Sequence, residues 1–203
     1  MSDLVSKYER ITAGELPTDT VALARAILGL VVIRDSPQGC CTGRIVEVEA
    51  YVADDPASHA FLGKTKRNAS MFLRPFRAYV YRIYGTAFCL NITSESPDVG
   101  AAVLVRALEP LDGASLMEFR RGTGDVRDLC RGPGRLCKAL EIDLRHNGLD
   151  ALNDSELWMG RSRRSIGRIG KSKRIGISKA AHRRLRFYEI GNRYVSGPRA
   201  LSP

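Results

Sequence analysis

The chain has 203 residues, enough for one domain that buries roughly two thirds of the surface its unfolded form would expose. Hydrophobic residues make up 44% and charged residues 27%, a balance that excludes a disordered or fibrous chain. Nowhere do about 18 apolar residues run together, and the start MSDLVSKYER has no apolar signal-peptide core, so a soluble, intracellular protein with no membrane partner is expected.

The net charge of +10 is concentrated in one place. Between Arg161 and Arg186 lie eleven Lys or Arg residues and no Asp or Glu; subtracting those eleven from +10 leaves −1 for the rest of the chain. Such a segment is the footprint of a polyanion contact, and Gly167, Gly170 and Gly176 would let backbone amides approach phosphates; the alternative is a solvated basic loop. The five cysteines, Cys40, Cys41, Cys89, Cys130 and Cys137, are odd in number and show no C-x-x-C spacing, and only His59, His146 and His182 could join them. Buried reduced thiols are expected, with no metal and no cofactor.

In chain order, Asp19 or Thr20 caps a predicted helix through TVALARAILG, which Gly29 stops. Leu30 to Arg34 reads as a strand and SPQG as a turn. From Gly43 to Val52 the period-two pattern puts Val46, Val48, Ala50 and Val52 on one face, the core, and Ile45, Glu47, Glu49 and Tyr51 on the other, polar one. A loop with Asp54, Asp55 and Pro56 and a basic stretch GKTKRN lead to the strands AYVYRIYG and FCLNIT, joined in a hairpin centred near Gly85. AAVLVRALEP is a central buried strand that nevertheless contains Arg106. Helices are predicted at SLMEFRR and GRLCKALEI and weakly at NDSELW, and LRFYEI and RYVSG read as closing strands. The order fits an α+β fold: a single mixed domain, residues 1–203, with a curved antiparallel β-sheet core flanked by helices.

Arg106 inside an apolar strand needs a carboxylate or a wet cleft. Glu47, Glu49 and Glu109 are the candidate partners, and spacing does not separate a structural ion pair from an active-site one. Tyr79, Tyr81 and Tyr84 fall within six residues, and Tyr51 shares the face of Glu49. Tyrosine stripes usually pack. Beside a basic segment and a buried Glu and Arg, they also supply what is needed to stack a base and do chemistry on it.

The runs VALARAILGLVVIR, IVEVEAY with SHA downstream, TKRNASMF, AYVYRIYG followed by FCLN, AAVLVRALEPLDG, LCRGPGRLCKALEI and LRFY extend over most of the chain. They closely resemble the alkyladenine (3-methyladenine) DNA glycosylase family, the monofunctional repair enzymes that remove alkylated and deaminated purines. The resemblance implies double-stranded DNA containing a damaged purine as the partner, a monomer, and a cytoplasmic location, with the nucleoid in a bacterium or the nucleus in a eukaryote. It further implies that Glu49 is the base that activates water and that Arg106 holds that carboxylate and water. Tyr51, His59 and Tyr81 would enclose the flipped base, Tyr84 would be the wedge in the duplex, and Asn91 would discriminate against the exocyclic amine of guanine. Glu47 shares the face of Glu49 and competes with it on spacing alone; its alternative is a surface or supporting carboxylate. Lys66 stands where many relatives carry proline, and Phe76 and Arg77 where a glycine commonly follows the proline, all flanking the expected DNA face. The rival class is a non-catalytic basic nucleic-acid-binding module, with Glu49 and Arg106 as a structural pair. A zinc deaminase would need H-x-E and P-C-x-x-C elements that the chain lacks.

Overall fold

A computed structural model describes residues 7–161 and 163–197; the outer ends of the expected 1–203 domain lie outside the described residues. The alternating segments become one antiparallel sheet. Its strands are β1 (Val31–Ser36), β2 (Gly39–Tyr51), β3 (Ala78–Ile83), β4 (Ala87–Thr93), β5 (Ala102–Pro110), β6 (Leu157–Gly160), β7 (Ile169–Ser172) and β8 (Arg186–Glu189). The path runs β3-β4-β5-β2-β1-β6, with β8 also paired to β2 and β7 to β8. The result is the curled α+β sheet expected from the sequence, with β5 central.

Three helices cover one face. In α1 (Thr20–Ala26) the Asp19 carboxylate accepts from the Ala22 amide at 2.7 Å, and Leu23 and Ala24 are buried. α2 (Ala114–Arg121) ends at Gly122 in the left-handed conformation, and α3 (Pro133–Ala139) starts on Pro133, whose fixed φ suits a first helical position. Leu23, Ile27, Met117, Leu136 and Cys137 meet Val48, Ala50, Val80, Leu90, Ile92, Val103 and Val105 in the main core. All five cysteines are free and buried, as expected.

Four expectations are corrected. The pairing of β2 with β5 is irregular between Ile45 and Val48, so the alternation does not run straight through. Ile45 and Leu108 turn into the main core, while Val46 joins Ala107, Tyr188, Tyr194 and Val195 in a second cluster. The polar face of β2 is not wet either, since Cys40 to Ala50 are all buried. NDSELW forms no helix: the Asp154 carboxylate accepts from the Glu156 and Leu157 amides, an Asx turn that launches β6. RYVSG is not a strand, because the Ser196 amide and hydroxyl are drawn onto Glu47 instead of a neighbouring strand. Phe76, finally, is a core residue with a φ of +66°, a conformation glycine adopts at no steric cost. Arg77 pairs with Asp150 at 3.2 Å.

Candidate active site

The second face of the sheet builds the site by register. Tyr79 lies opposite Asn91, Asn91 opposite Leu104, Leu104 opposite Glu49, and Glu49 opposite Arg186, so one row crosses β3, β4, β5, β2 and β8. Tyr81 and Cys89 form the next row, two residues along and therefore on the same face. In front of these rows is a cavity of about 960 Å³, lined among others by Tyr51, His59, Tyr79, Tyr81, Asn91 and Arg106. It extends past the start of α3, where Arg135 and Lys138 join its wall.

Three rings form its floor. The centroids of Tyr79 and Tyr81 are 5.3 Å apart, and His59 meets Tyr81 edge-on at 4.5 Å. His59 arrives on the loop after β2, which Asn68 staples: its Nδ2 donates to the carbonyls of His59 at 2.8 Å and Gly63 at 3.0 Å. Gly100 permits this loop to close, since a Cβ there would stand 2.4 Å from Ala60 and 2.6 Å from Phe72. The His59 Nδ1 and the Tyr79 hydroxyl are 2.9 Å apart. Burial, then the charge of Arg67, lowers the His59 pKa below its ordinary 6.5, so the ring is neutral at pH 7. Burial raises the Tyr79 hydroxyl to about 12, and it keeps its proton. Asn91 is held by its Nδ2 donating to the Tyr79 carbonyl at 3.0 Å.

Four charged groups meet at the cavity wall, with Arg106 in its lining and Glu47, Glu49 and Arg186 behind it. Arg106 bridges two buried carboxylates: its Nε is 3.1 Å from Glu47 and its Nη1 3.4 Å from Glu49. Glu47 is fully buried and multiply bound, accepting from Arg186 Nε at 2.5 Å and from the Ser196 amide at 2.6 Å and hydroxyl at 3.0 Å. That rules out a surface role for it. Glu49 accepts from the Tyr51 hydroxyl at 3.0 Å and the Ile175 amide at 2.8 Å. Its own surface is fully buried, so it sits one hydrogen bond behind the cavity, whose lining includes Tyr51, Ile175 and Arg106. Burial pushes the Glu49 carboxyl above the ordinary range; Arg106, the Ile175 amide and the Tyr51 hydroxyl oppose that rise, and Glu47 adds to it.

Tyr84 stands at the rim. It occupies the tip of the β3–β4 hairpin, is 94% exposed, and has a φ of +46° beside Gly85 at +76°. A left-handed aromatic residue costs about 1–3 kcal/mol, a strain that clusters at functional positions. Tyr51, His59, Tyr81, Asn91, Tyr84 and Arg106 therefore line one cavity, with Glu49 directly behind it.

Sequence reasoning missed several lining residues. Tyr79 was visible in the tyrosine stripe but has no separate signal beyond its parity with Tyr81. Ile175 was hidden in the basic segment, and much of that segment's charge turns inward: Arg174 pairs with Asp55, Arg186 with Glu47, and Arg164 with Glu109. Lys66 is exposed on the loop that carries His59.

The site is thus an aromatic-walled cavity backed by a buried Glu–Arg cluster on a curled sheet. Residues 15–193 match the family model described as methylpurine-DNA glycosylase. A protein of Mesorhizobium japonicum is 53% identical over 94% of this chain and 92% of its own length. Others from Paraburkholderia phytofirmans and Methanoculleus marisnigri are each 46% identical, over 92% and 88% of this chain and 88% and 94% of their own lengths. All three are provisionally named 3-methyladenine DNA glycosylase. The chain belongs to the methylpurine-DNA glycosylase family. It is thus a DNA N-glycosylase, a hydrolase of N-glycosyl bonds.

Proposed function

We propose that this chain excises purines of the 3-methyladenine, 7-methylguanine and hypoxanthine class from double-stranded DNA, starting base excision repair. The observation that carries the reading is the row from Tyr79 to Glu49, which sets an aromatic cavity and an acid–arginine pair side by side. The target C1′ lies inside a duplex, so the nucleotide is extruded at a cost of a few kcal/mol, least for a damaged pair. Tyr84 fills the gap left behind. The base enters between Tyr51, His59 and Tyr81, and Asn91 disfavours the exocyclic amine of guanine.

Breaking the N-glycosidic bond builds positive charge on the sugar and negative charge on the departing base. An ionised Glu49 stabilises the sugar and takes a proton from the attacking water, with Arg106 keeping it ionised. Water reaches that carboxylate past Tyr51 and Ile175, the two groups that separate it from the cavity. A cationic methylpurine leaves as a neutral base and needs no second catalytic carboxyl, whereas neutral hypoxanthine leaves as an anion that ends with the proton taken from the attacking water; Glu47 is tied up in its own bonds. No lysine imine takes part, so the strand is not cut. The chain acts as a monomer with residues 1–203 as one glycosylase domain, in the cytoplasm at the nucleoid or in a nucleus. No helix among the described residues is long and apolar enough to cross a membrane.

The test is a duplex carrying one hypoxanthine, incubated with the protein and compared with the same duplex incubated without it. Strand cleavage at the lesion after heating in alkali, and none before it, is the expected outcome. A strand that survives alkali would leave a nucleic-acid-binding module without this activity.

A further inference from the structure

Arg174 is a costly charge among the described residues. Its side chain is fully buried, as is that of Asp55, with which its Nη1 forms an ion pair. The same Nη1 donates to the Ala50 carbonyl at 2.9 Å, while Nε and Nη2 have no hydrogen-bond partner among the described residues. A buried pair with two unsatisfied donors is a poor stabilising device, because replacing such a pair by neutral groups of similar shape is often neutral or better. What the pair does hold together is the site. The guanidinium lies 4.5 Å from the centroid of the Tyr51 ring. The next residue, Ile175, puts its amide on Glu49. Asp55 accepts from the Ala57 amide at 3.0 Å and so shapes the loop that delivers His59.

We propose that Arg174 is a positioning residue for hydrolysis: it backs the Tyr51 ring and, anchored by Asp55, fixes the Tyr51 hydroxyl and the Ile175 amide on Glu49. This rests on Glu49 being the base. A cation against the ring also makes the phenol a stronger donor, so Arg174 favours the ionised form of Glu49 through Tyr51. The other charged or titratable groups around Glu49 are Glu47 and Tyr51 on its own strand, Arg106 on β5, Cys89 on β4 and Arg186 on β8. Apart from Tyr51, none of them is a partner of Arg174, which meets Asp55, the Ala50 carbonyl and the Tyr51 ring.

The double variant Arg174→Met, Asp55→Asn removes both charges at nearly constant shape. Three quantities are measured: single-turnover release of hypoxanthine as a function of pH, affinity for the lesion duplex, and Tm. The expected result is unchanged affinity, a release rate at neutral pH lowered about tenfold or more, and an acid limb moved to higher pH. Arg174→Lys keeps the charge but not the flat stack, and should restore the acid limb while leaving the rate below wild type. A folded double variant with wild-type rate and wild-type pH profile overturns the proposal. If the double variant does not fold, a wild-type rate and profile in Arg174→Lys does the same, and a lowered rate at unchanged affinity supports it. Glu49→Gln is run alongside. If that variant releases base at the wild-type rate, the base assignment itself fails; if it is inert while the Arg174 variants are normal, only this inference fails.

Discussion

Two buried charge clusters share the strands β2, β5 and β8, and only one of them faces the cavity. In the first, Arg44 donates to Glu189 at 2.7 Å through both Nη1 and Nη2 and meets Glu109 at 3.2 Å. Asn192 and the Gly167 amide complete the shell of Glu189. Burial works against the ionised Glu189, yet Arg44 and these hydrogen bonds win and lower its pKa to about 2. In the second, Arg106 is divided between Glu47 and Glu49, and burial wins at Glu49, whose pKa rises. Identical residue types thus make a saturated structural knot in one place and an undersupplied carboxylate beside an aromatic cavity in the other. A carboxylate short of partners is the kind that can take a proton from water.

Removing the arginine from each cluster breaks the comparison hardest. Arg44→Met leaves buried Glu189 with the half-exposed Arg164 at 3.4 Å as cation and is expected to cost about 3 kcal/mol of stability by denaturant unfolding. Arg106→Met leaves Glu47 with Arg186 and lets Glu49 take a proton, so the stability loss should be smaller while excision is lost. An equal loss of stability in the two variants would erase the distinction.

The carboxylates themselves should respond with opposite sign. Glu189 has a depressed folded pKa, so its contribution is complete above its ordinary 4.5 and vanishes as pH falls through about 2. Glu49 has a raised one, so it costs nothing extra below 4.5 and its penalty is complete above the folded value. At neutral pH Glu189→Gln should therefore lower Tm by several degrees, and Glu49→Gln should raise it by a smaller amount, on the scale of about 2–4 °C per kcal/mol. A fall in Tm for both would contradict the account of Glu49.

The hairpin tip sharpens the other side of the site. Tyr84→Ala should weaken binding to a lesion duplex by about tenfold, roughly 1.4 kcal/mol, with little change in stability because the side chain is exposed. An unchanged dissociation constant in a titration would remove the wedge role.

Much of this was legible in the sequence because the signals were local. Arg106 stood out inside an apolar strand, Gly85 marked the hairpin, and Tyr79, Tyr81 and Tyr84 stood out as a cluster within six residues. What was hidden depended on distant pairing. The irregular stretch between Ile45 and Val48 comes from the meeting of β2 with β5 and cannot be read in either strand. Arg174 and Arg186 read as part of a run facing a polyanion until the fold set them against Asp55 and Glu47. RYVSG has strand-forming residues, but the Ser196 bonds to Glu47 decide its path. The choice between Glu47 and Glu49 rested on the resemblance; in the structure Arg106 meets both, Glu47 is further held by Arg186 and Ser196, and Glu49 by Tyr51 and Ile175 of the cavity wall.

The most direct measurement is single-turnover release of hypoxanthine by Glu49→Gln, together with its affinity for the same duplex. The expected result is release slowed by about 10²–10⁴-fold or more with affinity retained. Release at the wild-type rate on a duplex that the variant still binds would contradict the assignment of Glu49 as the base.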